Sequence, residues 1–307
     1  MSKYIDRFNN IKRDYTQFKE DSKNSKLRIR DISNKLNVSE AELLSLSTNN
    51  GVSFLSINDY NHFFSYLLSN IDKMMLLIRS EYVVHEKIIK PNEYEIINNK
   101  IINKNDNSLL IKFNTETFKY SFFEVRKHNK RILKSFQFFN KEGNSIIKIY
   151  LKGKNNIEFE NLANQYSVKY DYQIQKDYIS KNFDNYKNAK PKIKSSFTDS
   201  SLPLRQVLNQ IAKKSIPVKI IGYGIECIQC HNDKINNIVD YGPWLNVMDK
   251  NFNIHILEDK ITESKYGLKD GNDIVNFYDF NQNLVLSING VKNYNQSFRQ
   301  IFKDYDD

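Results

Sequence analysis

The stretch KSFQFFNKEGNSIIKIYLKGKNN, residues 134–156, and the stretch DIVNFYDFNQNLVLSINGVKNYN, residues 273–295, follow one plan. Each has an aromatic segment, an Asn-containing turn and a β-branched segment. A short amphipathic stretch follows each, EFENLANQY (158–166) in one and QSFRQIFKDY (296–305) in the other. Aromatic and β-branched runs broken by turn residues read as paired strands. Ahead of each copy lies a helix followed by another pair of strands. The chain is therefore expected to be a tandem repeat of two similar α+β units, each about half of its 307 residues. The expected architecture is large antiparallel β-sheets flanked by helices, with residues 1–165 as the first repeat, 166–201 as a linker and 202–307 as the second repeat.

Outward from the repeat, the first 80 residues read as helical. KLRIRDISNKLNVSEAELLSL (26–46) places Leu27, Ile29, Ile32, Leu36 and Val38 near helical spacing, and Ser39 with Glu42 makes a capping box for a second short helix. YNHFFSYLLSNIDKMMLLI (60–78) reads as one further apolar helix. From Arg79 the period changes to two. EYVVHEKII, SLLIKFN, FKYSFFEVRKH, ILKSFQFF and SIIKIYLKG read as strands of an antiparallel meander. Residues 160–201 begin as a helix tail and become polar and Lys- and Tyr-rich. A helix, LPLRQVLNQIAKKS, and the strands VKIIGY, IECIQCH, FNIHILED, DIVNFYDF and NLVLSING follow.

The net charge is +10, in a chain whose Lys, Asn, Ile, Tyr and Phe are the residues of AT-rich codons. The charged N-terminus carries no apolar core of a secretory signal. No window approaches the ~18 apolar residues of a membrane span. A cytoplasmic protein without membrane insertion is expected. The helix-turn-helix look of RDISNKLNVSEAELL raises nucleic-acid binding as a distant reading. Glu40 and Glu42 would face phosphates there, so no nucleic acid is expected as a partner. No Gly-rich phosphate loop, G-x-S-x-G or H-E-x-x-H motif occurs.

CIQCH (227–231) holds both cysteines of the chain and has the Cys-x-x-Cys-His spacing of covalent haem attachment. In a strand, Cys227, Gln229 and His231 share one face, and Ile228 and Cys230 the other. The two thiols point apart, which speaks against covalent attachment and favours two cysteines as small strand residues, and without a second cysteine pair a zinc site is equally poor.

RIRDISNKLNVSEAELL (28–44), SEYVVHEK (80–87), SFQFFNKEGNSIIKIY (135–150), IECIQCH (225–231) and GPWLNVMDKNFNIHILED (242–259) resemble, in this order, segments of the HemS/ChuS/HmuS haemin-degrading, or haem-utilisation, family. The similarity spans both halves and lapses in the middle. It implies a cytoplasmic protein that binds haem non-covalently and delivers or degrades it to release iron, with haem-oxygenase-like activity an open question. An inner-membrane haem importer and a reductase are the partners it implies. By the same resemblance His85 matches a histidine that ligates haem iron, and Lys112 falls where the family has an arginine close to the haem. Lys269 matches a lysine near a propionate. In LSINGVK, Asn289 and Lys292 stand where the family has a tyrosine and a basic residue. His255 and Trp244 match family positions and are read as structural.

The family's principal axial histidine follows the linker. Residues 160–201 contain no histidine here, and the helical part of the second repeat is shortened. The region offers Tyr166, Tyr170, Tyr172, Tyr178 and Tyr186, and tyrosinate can ligate ferric haem. The missing histidine favours an alternative, a haem chaperone or buffer without enzymatic activity, or a relative that has lost haem ligation.

Overall fold

The computed structural model describes residues 2–21, 27–48, 50–128, 130–154, 156–168, 198–200 and 202–303. The first half runs α1 (Ser2–Glu20), α2 (Ile29–Leu36), α3 (Glu40–Ser45), β1 (Val52–Leu55), α4 (Tyr60–Asn70), β2 (Met74–Arg79), β3 (Val83–Ile89), β4 (Tyr94–Ile97), β5 (Lys100–Asn103), β6 (Leu109–Phe113), β7 (Tyr120–His128), β8 (Arg131–Phe139), β9 (Ser145–Leu151) and α5 (Asn156–Tyr166). The second half runs β10 (Thr198–Ser200), α6 (Leu204–Lys213), β11 (Val218–Tyr223), β12 (Cys227–Asp233), β13 (Ile238–Tyr241), β14 (Trp244–Asp249), β15 (Phe252–Leu257), β16 (Ile261–Lys269), β17 (Asn272–Asp279), β18 (Leu284–Gly290) and α7 (Asn295–Lys303). From β1 onward the two halves have the same order: strand, helix, eight strands, helix. The stretches 134–156 and 273–295 supply β8–β9 and β17–β18, the matched hairpins from which the repeat was read.

The capping box is formed. Ser39 Oγ accepts from the Glu42 amide at 3.1 Å, and the Glu42 carboxylate accepts from the Ser39 amide at 2.8 Å. The helix expected over 60–78 is shorter. It stops at Asn70, and Met74–Arg79 forms β2, paired antiparallel to β3. The apolar run Met74–Ile78 is too short for its periodicity to separate helix from strand, and pairing decides it.

Two compact units interleave along the sequence: residues 1–66, 115–151 and 155–189 in one, and 67–114, 152–154 and 190–307 in the other. In the first unit β1, β7, β8 and β9 are neighbours in that order. Aromatic side chains fill its core. Phe136 meets Phe159 at a tilt, 4.4 Å between centroids, and Phe63 meets Phe136 at 5.0 Å and Phe138 at 5.6 Å.

The second unit holds the run β2-β3-β15-β14-β13 and a nine-stranded antiparallel sheet ordered β10-β16-β17-β18-β11-β12-β6-β5-β4. The single meander expected after Arg79 is therefore split. β4–β6 leave their sequence neighbours and pair, through β6, with β12 of the other half. In return β13–β15 pair, through β15, with β3. Each half lends three strands to the sheet of the other. The reason is burial: Ile101 and Ile111, on β5 and β6, are fully buried in the borrowed position. Local periodicity marks the strands but cannot encode which edge they join.

In this unit β11 and β12 face β2 and β3. Val207, Leu208 and Ile211 of α6 and Phe298 and Ile301 of α7 close the same core with Ile220, Ile254, Phe277 and Ile288. Arg205 fastens α6 outside it, donating to both carboxylate oxygens of Asp240 (2.9 and 3.1 Å) and to Glu258 (2.6 Å).

Candidate functional site

CIQCH forms most of β12 with the alternation its strand reading requires. Gln229 and His231 point inward, toward β2 and β3. Cys230 pairs with Ile221 on the opposite face. Neither thiol is in a disulfide and both are buried, and burial pushes the Cys230 thiol up to about 11. Neither is a thiolate at neutral pH, so neither is a nucleophile or a metal ligand in this setting.

The inward face makes two matched contacts. Gln229 Nε2 donates to His85 Nδ1 at 2.7 Å, and Lys87 Nζ donates to His231 Nδ1 at 2.7 Å. Both pairs are 144 residues apart. His85 holds in β3 the place that Gln229 holds in β12, and Lys87 the place of His231, so the repeats meet through equivalent positions. Phe252 of β15 completes the cluster. Its ring stacks on His231 at 3.8 Å with 5° between planes, and meets His85 edge-on at 5.0 Å. Gly222 leaves room for the His85 ring, since a Cβ there would stand 3.0 Å from His85 Cδ2.

His85 has no exposed surface, and its Nε2 has no hydrogen-bond partner among the described residues. Burial, then the neighbouring His231 and Lys87, hold its pKa well below the ordinary histidine value. Burial, then Lys87, lower His231 to about 3. Burial also lowers Lys87, against the pull of Asp233. The cluster is thus two neutral imidazoles and one lysine closed between sheets.

A stability prediction follows. The unfolded histidines bind protons at ~6.5, and His231 in the fold does so only near 3. Between these limits the unfolded state holds more protons, so stability falls as pH drops from about 6.5 toward 3. The expected slope is up to about 1.4 kcal/mol per pH unit for each histidine. Urea midpoints at pH 7 and pH 5 should differ less in His231→Gln than in the parent chain; equal differences would contradict the assignment.

The residues read from the sequence divide between two faces. Lys112 registers with Ile228, and Ile228 with Tyr223. Asn289 registers with Lys219 of β11 and with Ile274 of β17. Lys269 pairs with Asn272, two residues from Ile274. By alternation, Lys112, Lys269 and Asn289 therefore share one face of the nine-stranded sheet, and His85 lies against the opposite face. Lys292 follows β18 and is exposed. Lys112 and Lys269 are exposed too, five strand positions apart, or about 24 Å across the sheet. Of the five tyrosines, Tyr166 lies in the first unit, where its hydroxyl meets His62 Nδ1 at 3.1 Å. Tyr170, Tyr172, Tyr178 and Tyr186 lie outside the described residues. His255 and Trp244 are on β15 and β14, where His255 Nδ1 meets Asn246 Oδ1 at 2.6 Å.

The lysine-bearing face holds further groups that the sequence did not single out. Tyr223 meets Ser287 Oγ at 3.1 Å, and Ser287 donates to Asn276 Oδ1 at 2.5 Å. Lys265 pairs with Glu263 at 2.9 Å and sits 5.5 Å above the Tyr278 ring. Asn289 Oδ1 is buried and has no hydrogen-bond partner among the described residues. Strand register exposes this set; residue spacing alone does not, because four strands contribute to it.

The haemin-degrading HemS.ChuX domain matches residues 37–166 and 198–305, more than half of the chain. The chain belongs to the haemin-degrading HemS family. Among solved structures, a ChuS of Escherichia coli O157:H7, described as a heme degrading enzyme, is 17% identical, with 94% of this chain and 97% of that chain covered and a TM-score of 0.77. Holo-PhuS of Pseudomonas aeruginosa, described as a heme-binding protein, is 16% identical over 96% of this chain and 98% of that chain, with a TM-score of 0.78. At these identities the likeness is one of fold, and it extends over the whole two-repeat architecture of the HemS proteins. No curated protein sequence matches the chain. No helix among the described residues is long and apolar enough to cross a membrane.

Proposed function

We propose that this chain binds haem non-covalently on the lysine-bearing face of the nine-stranded sheet and carries it within the cytoplasm. The carrying observation is that face. A haem needs cations for two propionates and an aromatic or apolar bed for the ring. Lys112, Lys219, Lys265, Lys269 and Lys292 supply cations from the face or its rim, and Tyr223 and Ile228 supply ring contacts. The unpartnered Asn289 oxygen is a place for a ligand donor. The residues fit the macrocycle and its carboxylates.

They fit the iron less well. Among the described residues no histidine projects from this face, and burial raises the Tyr223 phenol above its ordinary value, which weakens it as a donor. His85 is closed between β3 and β12, so ligation by it requires those sheets to part. When bound, haem supplies the iron on which oxygen chemistry takes place, and that chemistry depends on the axial donor. The absent imidazole favours carriage over ring opening, with an importer as the source and a reductase needed only for degradation.

Haem titration followed at the Soret band tests the reading. Stoichiometric haem should shift the band, and Lys112→Ala should weaken binding roughly tenfold, the value of one charge-assisted contact. His85→Ala should leave the spectrum of bound haem unchanged while lowering stability; loss of the Soret shift in a folded His85→Ala would make His85 the ligand. Bile pigment or CO from a reductant and oxygen, in the presence of catalase, would replace carriage by degradation. No Soret change in the parent chain would end the haem reading.

A further inference from the structure

We propose that the β7–β8 hairpin of the first unit, with the start of α5, is a docking surface for an anionic phospholipid bilayer. The hairpin outruns its neighbours. β1 pairs with β7 only as far as Glu124, and β9 pairs with β8 only from Ser135. The Val125 amide still donates to the Gly51 carbonyl at 2.7 Å, and beyond it residues 126–128 and 130–133 project as a two-stranded arm, with Val125 opposite Lys134 at its base and Lys127 opposite Ile132. On this arm Arg126, Lys127, His128, Lys130 and Arg131 are all exposed. Lys127, Lys130 and Arg131 make no ion pair among the described residues, whereas Arg126 lies 3.7 Å from Glu124. The matched tip in the other half, between β16 and β17, carries Lys269 beside Asp270 and has no such cluster.

Charge alone would fit any polyanion. The apolar side chains among the cations select a bilayer. Ile132 is 67% exposed and Val125 36%, and alternation puts both on the face that carries Phe136 and Phe123. α5 lies on that face, with Phe159 against both rings and Glu160 bonded to Lys134 at 2.6 Å. Ile157, three residues before Glu160 and so on the same side of the helix, is 71% exposed. Three aliphatic side chains thus stand out on the side of the arm where Lys127 lies. A lone exposed isoleucine suits a strand and needs no partner, but three aliphatic side chains gathered among unpaired cations form a patch. Seated at a headgroup boundary, the aliphatic groups enter the acyl edge and the lysines and arginine meet lipid phosphates, the two signals that stable peripheral binding requires.

Co-sedimentation of the full chain with vesicles of phosphatidylserine and phosphatidylcholine tests this. The expected result is retention on the mixed vesicles at low salt, at least tenfold weaker binding to pure phosphatidylcholine, and release by 0.5 M salt on the order of the shortened screening length. The triple variant Lys127→Glu, Lys130→Glu, Arg131→Glu should lose retention at least tenfold. Ile132→Ser with Ile157→Ser should lose it roughly fivefold or more. Removing equal charge elsewhere, by Lys213→Glu, Lys214→Glu and Lys250→Glu, should change it far less. All sites are exposed, and circular dichroism verifies folding. Absence of retention, or equal losses in the arm and control variants, would overturn the proposal. Loss with the charge variant but none with the double serine variant would also overturn it, because the arm would then be an unselective polycation that does not enter the bilayer.

Discussion

Phe252→Ala is expected to lower the free energy of unfolding by about 3–5 kcal/mol, the range for deleting a buried phenyl ring. Phe252 is 2% exposed and belongs to the core shared by β11, β15 and α7. Its loss is more than an apolar cavity. The ring covers His231 face-on at 3.8 Å, closes His85 edge-on at 5.0 Å, and lies 5.8 Å from Lys87 Nζ. Without it, two imidazoles held neutral by burial gain a route to water, and their depressed pKa values should return toward 6.5. The acid-dependent loss of stability should therefore shrink in the same variant. Phe252→Leu keeps most of the volume and should cost less, about 1–2 kcal/mol. Urea denaturation of the three proteins at pH 7 and pH 5 measures both effects. A cost below about 1 kcal/mol for Phe252→Ala, or an unaltered pH dependence, would show that the cluster is not closed by this ring.

That cluster marks the limit of what the sequence could convey. The hairpins β8–β9 and β17–β18 were legible because they are local, with pairing partners adjacent in the chain and turn residues between them. The capping box of α3 was legible for the same reason. The alternation of CIQCH was also legible, since it needs only the strand period. The exchange of three strands between halves was not legible, because it is set by burial at distant edges. MMLLI reads as helix by its sequence for a related reason: its partner β3 lies beyond a turn that periodicity cannot see.

The candidate site follows the same division. Lys112, Lys269 and Asn289 were found one by one through resemblance, and only strand register unites them on a face with Lys219, Tyr223 and Ser287. The same register separates His85 from them. One signal for the inward cluster was present in the sequence. Aligned by the repeat, EYVVHEK and IECIQCH place His85 on Gln229 and Lys87 on His231, and equivalent residues of two facing repeats are the ones that meet near their symmetry axis.

Glu40→Ala is expected to be as damaging in the first unit, with a cost of about 3–5 kcal/mol. The Glu40 carboxylate, 3% exposed, accepts from Lys148 Nζ at 2.7 Å and from Arg30 at 3.3 Å. Lys148 is 8% and Arg30 10% exposed at the side chain. Three buried charges joined in this way are costly to assemble, and costlier to leave incomplete. Removal of the carboxylate strands two cations where water cannot reach them. Because the penalty belongs to the stranded charge rather than to the bond, it should be recovered by removing the charge. Lys148→Met added to Glu40→Leu should be markedly more stable than the sum of the two single changes, with a coupling of about 1–3 kcal/mol. The Lys148 amine also stands 5.7 Å from the Phe139 ring, so a methionine there keeps an apolar neighbour. Additive single and double changes in chemical denaturation would mean that Glu40, Lys148 and Arg30 are solvated separately in solution. Strong coupling would identify the triad as the fastener of α3 to β9, the element that holds the helical start of the chain on its sheet.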